Sequence, residues 1–316
     1  MDLRGRVVLI TGGSRGLGLD LARESVGRGA HVVICARDES ELEAARLDLM
    51  ERGGNVIAIQ CDVTFPSQVN EMIDAVLARF GTIDVLINNA GIMTVSPMEH
   101  VKIDDYQQAL RTHFGAALYT TLAVVPAMRK ARSGRIVNIA SIGGKIPVPH
   151  MIPYCASKFA LVGFSESSRA ELADKGIYVT TVIPGLVRTG SPRNVEVRGQ
   201  VEKEYAWFAT SDVTPLLSID PARVAKRVLD AASYGKAELI LPLTARLAAV
   251  LHGLFPGLSC ELTVLANRYL PASNPKRDRH ARGFESESEL IPEFARRRNQ
   301  QAAEQHNEFV QPDALF

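Results

Sequence analysis

The sequence lacks the features that would place it in several protein classes. Its four cysteines, Cys35, Cys61, Cys155 and Cys260, are spread over 316 residues and make no metal-like spacing or dense disulfide framework. Thiols so scattered suit a reduced, cytoplasmic setting, and Cys155 reads as a packed, inert thiol. Net charge is +1, so there is no broad basic field to recruit nucleic acid. No uninterrupted apolar run reaches the ~18 residues that a membrane span needs. No signal peptide is recognisable, because Met1 runs almost directly into an apolar strand. Internal repeats and low-complexity tracts are missing too. What remains, 46% hydrophobic and 22% charged, is ordinary for a soluble globular chain. The length suits one large α/β domain with an appendage, or two small domains.

Short apolar runs alternate with amphipathic stretches. Val7–Ile10, His31–Cys35, Asn55–Gln60, Ile83–Ile87, Arg135–Ala140, Gly176–Ile183 and Glu238–Leu241 read as strands, with helices between them. This alternation predicts an α/β fold, a Rossmann-like, doubly wound parallel sheet of about seven strands. The first strand runs into Thr11-Gly12-Gly13-Ser14-Arg15-Gly16-Leu17-Gly18 and then a helical pattern. Glycines there let the backbone approach a diphosphate, which the helix N-terminus attracts with free N–H groups and its dipole. The second strand ends at Ala36-Arg37. An acidic residue would hydrogen-bond the ribose of NAD, whereas Arg37, with Arg15 nearby, suits the 2′-phosphate of NADP. A solvated loop arginine is the alternative for Arg37.

Ser141 follows the fifth strand, and a loop leads from it to Pro153-Tyr154-Cys155-Ala156-Ser157-Lys158. Proline can open a helix, and Tyr154 and Lys158 then share one face, four residues apart. An ammonium there would favour the ionised phenol and make Tyr154 a general acid/base near neutral pH. The alternative is an ordinary surface pair. Ser141, at the carboxyl end of a strand, lies where open α/β sheets bind ligands.

The glycine turn, Asn88-Asn89-Ala90-Gly91, Ser141, Tyr154-Cys-Ala-Ser-Lys158 and Pro184-Gly-Leu-Val-Arg-Thr189 together resemble the short-chain dehydrogenase/reductase family, over residues 5–242. The resemblance implies hydride transfer between NADP(H) and a carbonyl or secondary alcohol, with Ser141, Tyr154 and Lys158 as the catalytic set. It also implies that Asp62, followed by Val63, contacts the adenine, although a helix cap or loop aspartate is nearly as good a reading. By the same resemblance the loop Asn88, Asn89, Ala90 and Gly91 borders the cofactor. Pro184, Gly185, Val187 and Thr189 orient the nicotinamide, and Lys158 binds its ribose. Family members carry an asparagine in the helix over 104–131 to hold a proton-relay water. Here His113 stands at that position, with Thr112 if the alignment slips by one. Histidine can relay protons, or can be a packed residue with a satisfied ring.

Residues 190–218 are expected to cover the substrate. Their Tyr205, Trp207 and Phe208 suggest an apolar substrate, or merely pin the lid to the sheet. The chain divides on this reading into a dinucleotide-binding catalytic domain, 1–242, and a helical extension, 243–316. Leu243 to Tyr269 has helical spacing broken at Pro256-Gly257, which suits a hairpin on a partner subunit or over the substrate entrance. A membrane surface is a less favoured setting. Residues 271–316 are polar with nearly cancelling charge and read as a solvated helical or partly disordered arm rather than a nucleic-acid patch. The resemblance also implies a homo-dimer or homo-tetramer. The rival functional readings are a nucleotide-binding regulatory protein without catalysis, and an enzyme on lipid-like substrates at a membrane surface.

Overall fold

A computed structural model describes residues 1–214, 218–274 and 278–309. Its centre is a seven-stranded, wholly parallel sheet: β1 (Val7–Thr11), β2 (His31–Ala36), β3 (Asn55–Gln60), β4 (Val85–Asn88), β5 (Gly134–Ile139), β6 (Ile177–Pro184) and β7 (Glu238–Leu241). The spatial order is β7-β6-β5-β4-β1-β2-β3. The doubly wound sheet expected from the alternation is therefore present, with strand ends shifted by a residue or two.

Both faces of the sheet are covered, which is why its strands are continuous apolar runs rather than alternating ones. Val8, Ile10, Val32, Ile34, Val85 and Ile87 point to one layer, which holds α1 (Gly16–Gly27), α2 (Glu39–Glu51) and α8 (Pro221–Ser233). Val7, Leu9, Val33, Leu86, Ile136 and Val179 point to the other, against α3 (Pro66–Phe80) and α5 (Ala116–Ala131). The first leg of the long helix is α4 (Ile103–Leu110). A π-helical turn, Arg111–Gly115, joins it to α5. α6 spans Ile152–Leu172.

The chain winds outward from β1 to β3, then returns to β4 and winds the other way. The switch point falls between β1 and β4, and open α/β sheets bind ligands outside the carboxyl ends of such strands. The glycine turn follows β1 there and Asn88–Gly91 follows β4.

The region after 186 departs further from expectation. Glu196–Gly199 forms a small sheet with Thr94–Val95 and Arg279–Arg282. α7 (Val201–Asp212) buries Tyr205 and Phe208 in an apolar cluster with Val95, Val197 and Ile291. Those two rings therefore pin the lid. Trp207 stays partly exposed, its Nε1 donating to Glu204 Oε2 at 2.9 Å.

Of the solvated helical or partly disordered arm expected over 271–316, the described residues show a helix, but one docked on the body, together with a strand. Arg279–Arg282 is a paired strand, and α11 (Glu293–Gln305) buries Ala295 and Ala303, because small apolar residues on one face let a polar helix lie close to the body. The basic residues Lys276 and Arg277 lie outside the described residues. α9 (Leu243–Leu254) and α10 (Pro256–Asn267) form the expected hairpin but cover little of this chain: Leu247 is 61% exposed, Leu254 67% and Leu258 57%. Among the described residues no helix is long and apolar enough to cross a membrane.

Candidate active site

The glycine turn is held by the loop after β4. Asn89 Nδ2 donates to the carbonyls of Thr11 (3.1 Å) and Gly12 (3.0 Å). Thr11 Oγ1 accepts from the N–H groups of Asn89 (3.0 Å) and Ala90 (3.1 Å). Gly18 cannot be replaced freely, since a Cβ there would stand 1.9 Å from the Gly12 carbonyl oxygen. The turn thus closes on itself and leaves α1 with its N-terminus beside the carboxyl ends of β1 and β4. This cradle fits a dinucleotide diphosphate.

Beneath it lies a polar network that the sequence did not announce. Asn88 Nδ2 donates to Asn138 Oδ1 (2.8 Å), Asn138 Nδ2 to Ser165 Oγ (2.9 Å), and Thr181 Oγ1 to Ser165 Oγ (2.7 Å). Thr120 Oγ1 donates to Asn88 Oδ1 at 2.6 Å. All are buried, so each group must find its partner inside the protein. Polar residues within otherwise apolar strand patterns were the one available signal. Asn88 is thereby a framework residue, and Asn89 is the one that touches the glycine turn.

At the end of β2, Arg37 is exposed and makes no ion pair among the described residues. Arg15 is already paired, its Nη1 lying 2.9 Å from Glu41 Oε1. The expected clamp of two free guanidinium groups is therefore reduced to one. Asp38 caps α2, accepting from the Glu41 N–H at 2.8 Å. Asp62, with Val63 buried beside it, accepts from Thr64 N–H (2.9 Å) and Thr64 Oγ1 (2.7 Å), a local turn that aims the loop after β3. After β6, Gly185 N–H bonds the Leu241 carbonyl (2.6 Å). Thr189 N–H bonds that of Val187 (2.8 Å), which leaves Thr189 buried next to Gly16.

Ser141, Tyr154 and Lys158 converge beyond the end of β5. Ser141 is extended and buried, and its Oγ accepts from Gly143 N–H at 3.1 Å. Gly143 and Gly144 allow the loop to lie flat on α6: a Cβ on Gly144 would come within 2.8 Å of the Lys158 carbonyl oxygen. Lys158 Nζ donates to the Ile139 carbonyl (2.9 Å) and lies 5.7 Å from the centre of the Tyr154 ring. Burial lowers the Lys158 ammonium to about 7. Burial likewise raises the Tyr154 phenol to about 12, the Ser141 hydroxyl pulling it back only in part. The depression of the phenol expected from Lys158 is not seen: burial is the largest influence, and the only group that pulls the value down is Ser141. Tyr154 is held as a protonated donor. Burial also pushes the Cys155 thiol up to about 11, as expected of an inert thiol.

His113 sits in the π-helical turn, a feature frequent at functional sites. It is 2% exposed, and its ring meets Tyr154 edge-on at 5.3 Å. Ile92 N–H donates to Nε2 (3.2 Å), which assigns the ring proton to Nδ1, 2.7 Å from Ser157 Oγ. Ser157 Oγ in turn donates to the Tyr154 carbonyl at 2.8 Å. Both ring nitrogens are engaged, so of the two readings of His113 the geometry supports the packed, satisfied ring and not the relay. Burial, and then the Lys158 charge, hold the imidazole well below its ordinary pKa.

Known proteins resemble this chain in sequence and in fold. Residues 6–198 match the family model described as short chain dehydrogenase. A "Dehydrogenase/reductase SDR family protein 7-like" of Anopheles gambiae is 34% identical over 263 residues, 81% of this chain and 81% of that protein. A "3-oxoacyl-[acyl-carrier-protein] reductase" of Synechocystis sp. is 34% identical over 194 residues, 61% of this chain and 78% of its own. The crystal structure of a single-substitution variant of actinorhodin polyketide ketoreductase with NADPH superposes with a TM-score of 0.67 at 31% identity, covering 75% of this chain and 95% of that one. By sequence, sheet topology and cradle alike, the chain belongs to the short-chain dehydrogenase/reductase family of NAD(P)-dependent oxidoreductases.

Proposed function

We propose that the protein interconverts a carbonyl and a secondary alcohol with NADP(H), on an apolar substrate. The observation that carries this is the convergence of Ser141, Tyr154 and Lys158 beside the glycine cradle. The cradle residues Gly12, Ser14, Gly16, Leu17 and Gly18 would hold the diphosphate. Ala90, Gly91, Pro184, Gly185, Val187 and Thr189 would border the nicotinamide. When bound there, the cofactor supplies or takes the hydride. Ser141 hydrogen-bonds the substrate oxygen. Tyr154, protonated at neutral pH, gives that oxygen its proton as the carbonyl is reduced. Lys158 fixes the N-terminal turn of α6 through the Ile139 carbonyl and has its remaining donors available for a ribose hydroxyl.

The preference for NADP rests on Arg37, exposed at the end of β2 with no acidic partner among the described residues. An apolar substrate is supported by Met93, Val148, Met151, Leu186 and Trp207, which belong to or pack on the same apolar cluster that Tyr154 packs on. Purified protein incubated with NADPH or NADH and a panel of ketones, aldehydes and 3-oxoacyl thioesters tests the proposal through cofactor consumption. Turnover of at least one carbonyl supports it; binding of NADPH without turnover of any would favour the regulatory reading.

A second setting is favoured by one observation, the exposed apolar hairpin α9–α10 beside a cavity of ≈ 480 Å³ lined by Met98, Pro149, His150, Ile152, Val264 and Leu270. That face suits a homo-oligomer contact or a lipid surface. Sedimentation velocity alone and with liposomes separates these two.

A further inference from the structure

The chain's own C-terminal segment already sits on the glycine cradle. Gly16, the first residue of α1, donates its N–H to the His306 carbonyl at 2.8 Å. Asn307 Nδ2 donates to the carbonyls of Ser14 (2.9 Å) and Glu41 (3.1 Å). Glu308 is 3% exposed, and its Oε1 lies 2.6 Å from where a Cβ on Gly16 would stand, with Thr189 against the same spot at 3.7 Å. Its Oε2 is 3.5 Å from Arg15 Nε and accepts from Asn194 Nδ2 at 2.6 Å. The segment is delivered by α11, anchored where Arg23 Nη1 donates to the Gln305 carbonyl (2.9 Å) and His306 Nδ1 lies 2.7 Å from Asp20 Oδ2.

The segment takes up donors a nucleotide phosphate would use: the Gly16 N–H is spent on the His306 carbonyl, and the Arg15 guanidinium faces the Glu308 carboxylate. A carboxylate, like a phosphate, is an anion that takes donors from a helix N-terminus and a guanidinium. The place is also a costly one for an acid. Burial pushes the Glu308 carboxyl up, with Arg15 and Asn194 pulling it back. Asp212, buried nearby, is pushed up to about 8 by burial and then by Glu308. Raised so far, Asp212 is protonated at neutral pH, while the Glu308 carboxylate must give up its water to dock, which offsets part of what its contacts contribute.

We propose that His306–Glu308 is a displaceable latch whose Glu308 carboxylate stands in for a cofactor phosphate, so that latch docking and dinucleotide binding exclude each other. The inference rests on the dinucleotide reading of the cradle. Only unlatched chains then bind cofactor, and the apparent affinity is the intrinsic one multiplied by their fraction. Whatever draws α11 away from the body would raise that affinity.

The test compares the full chain, Glu308→Gln and a chain ending at Gln305. Dissociation constants for NADPH and NADH are measured by calorimetry, and amide hydrogen exchange of residues 303–309 is followed in the full chain with and without NADPH. Both variants are expected to bind NADPH more tightly, by on the order of tenfold, since the segment no longer has to be displaced. Residues 303–309 are expected to lose protection on saturation. Unchanged or weaker binding by Glu308→Gln, or a gain of protection at 303–309, would show that the segment does not compete with the nucleotide and would overturn the latch. If the truncated chain does not fold, Glu308→Gln and the exchange experiment decide. Binding of neither nucleotide by any form removes the dinucleotide reading itself, whereas equal binding by all three removes the latch alone.

Discussion

His113 Nδ1 lies 2.7 Å from Ser157 Oγ, and through that one bond the π-helical turn grips α6 between Tyr154 and Lys158. Ser157 passes the grip on to the Tyr154 carbonyl, 2.8 Å away. A neutral imidazole is needed, since Nε2 must accept from the Ile92 N–H.

Replacing the ring by one without nitrogens, His113→Phe, leaves the Ile92 N–H and the Ser157 hydroxyl without their partner. The expected loss is about 1–3 kcal/mol, the cost of an unsatisfied buried polar group. The pH dependence should change as well. The folded His113 binds its proton only well below 6.5, while the unfolded chain binds one below 6.5. In that window the unfolded state holds more protons, so stability rises with pH and falls on acidification. In urea melts between about pH 5 and pH 7 the wild type is expected to gain stability relative to the variant as pH rises, since the opposite contribution of Asp212 is common to both.

Lys158 carries the same logic to higher pH. Its folded value of about 7 lies below the ordinary 10.5, so between the two the unfolded chain binds the extra proton and stability rises with pH. Tyr154 acts oppositely: its phenol, raised from 10.0 to about 12, binds more protons when folded, and stability falls as pH climbs through that window. Lys158 is therefore expected to add stability progressively from about pH 7 to pH 10.5, while Asp212 and Cys155, both raised by burial, act the other way over parts of that range. The difference in unfolding free energy between the ligand-free wild type and Lys158→Met is expected to move in favour of the wild type as pH rises through this window. A difference that does not vary with pH would remove Lys158 as its source.

Tyr154→Phe keeps the ring packed against His113 and removes only the hydroxyl. Turnover should fall by roughly 10²–10⁴, the usual contribution of a positioned acid. NADPH affinity, measured by fluorescence titration, should change little. In the wild type the reduction rate should hold through neutral pH and decline only as the phenol begins to ionise. Alcohol oxidation, which needs the phenolate, should rise over the same alkaline range.

Arg37→Asp reverses the charge of the one guanidinium left unpaired at the end of β2. Loss of a charge-assisted hydrogen bond costs about 1.5–3 kcal/mol, so KM for NADPH should rise by roughly ten- to a hundredfold. KM for NADH should rise far less. Arg15→Ala should matter less than Arg37→Asp, because Glu41 already holds Arg15. Equal effects on both cofactors would remove Arg37 from the 2′-phosphate site.

Much of this could be read without a structure, for a local reason. A buried parallel strand needs an unbroken apolar run, and a turn that brings backbone close to a phosphate needs glycine, so Val7–Ile10 and Gly12–Gly18 announce themselves within a short stretch of chain. Tyr154 and Lys158 share a helical face by spacing alone. The strand count, the winding of the sheet and its family membership follow from such local signals in series.

What the tertiary structure decided depends on residues far apart in the chain. Whether burial or Lys158 governs the Tyr154 phenol turns on how closely the site is packed, which no spacing records. His113 is satisfied because Ile92 and Ser157 happen to reach it from two other segments. Arg15 is unavailable because Glu41 lies across from it, and Asn307 reaches Ser14 of the cradle from 293 residues further along the chain. Periodicity predicts which face a side chain takes; only the closed fold determines which partner has already claimed it.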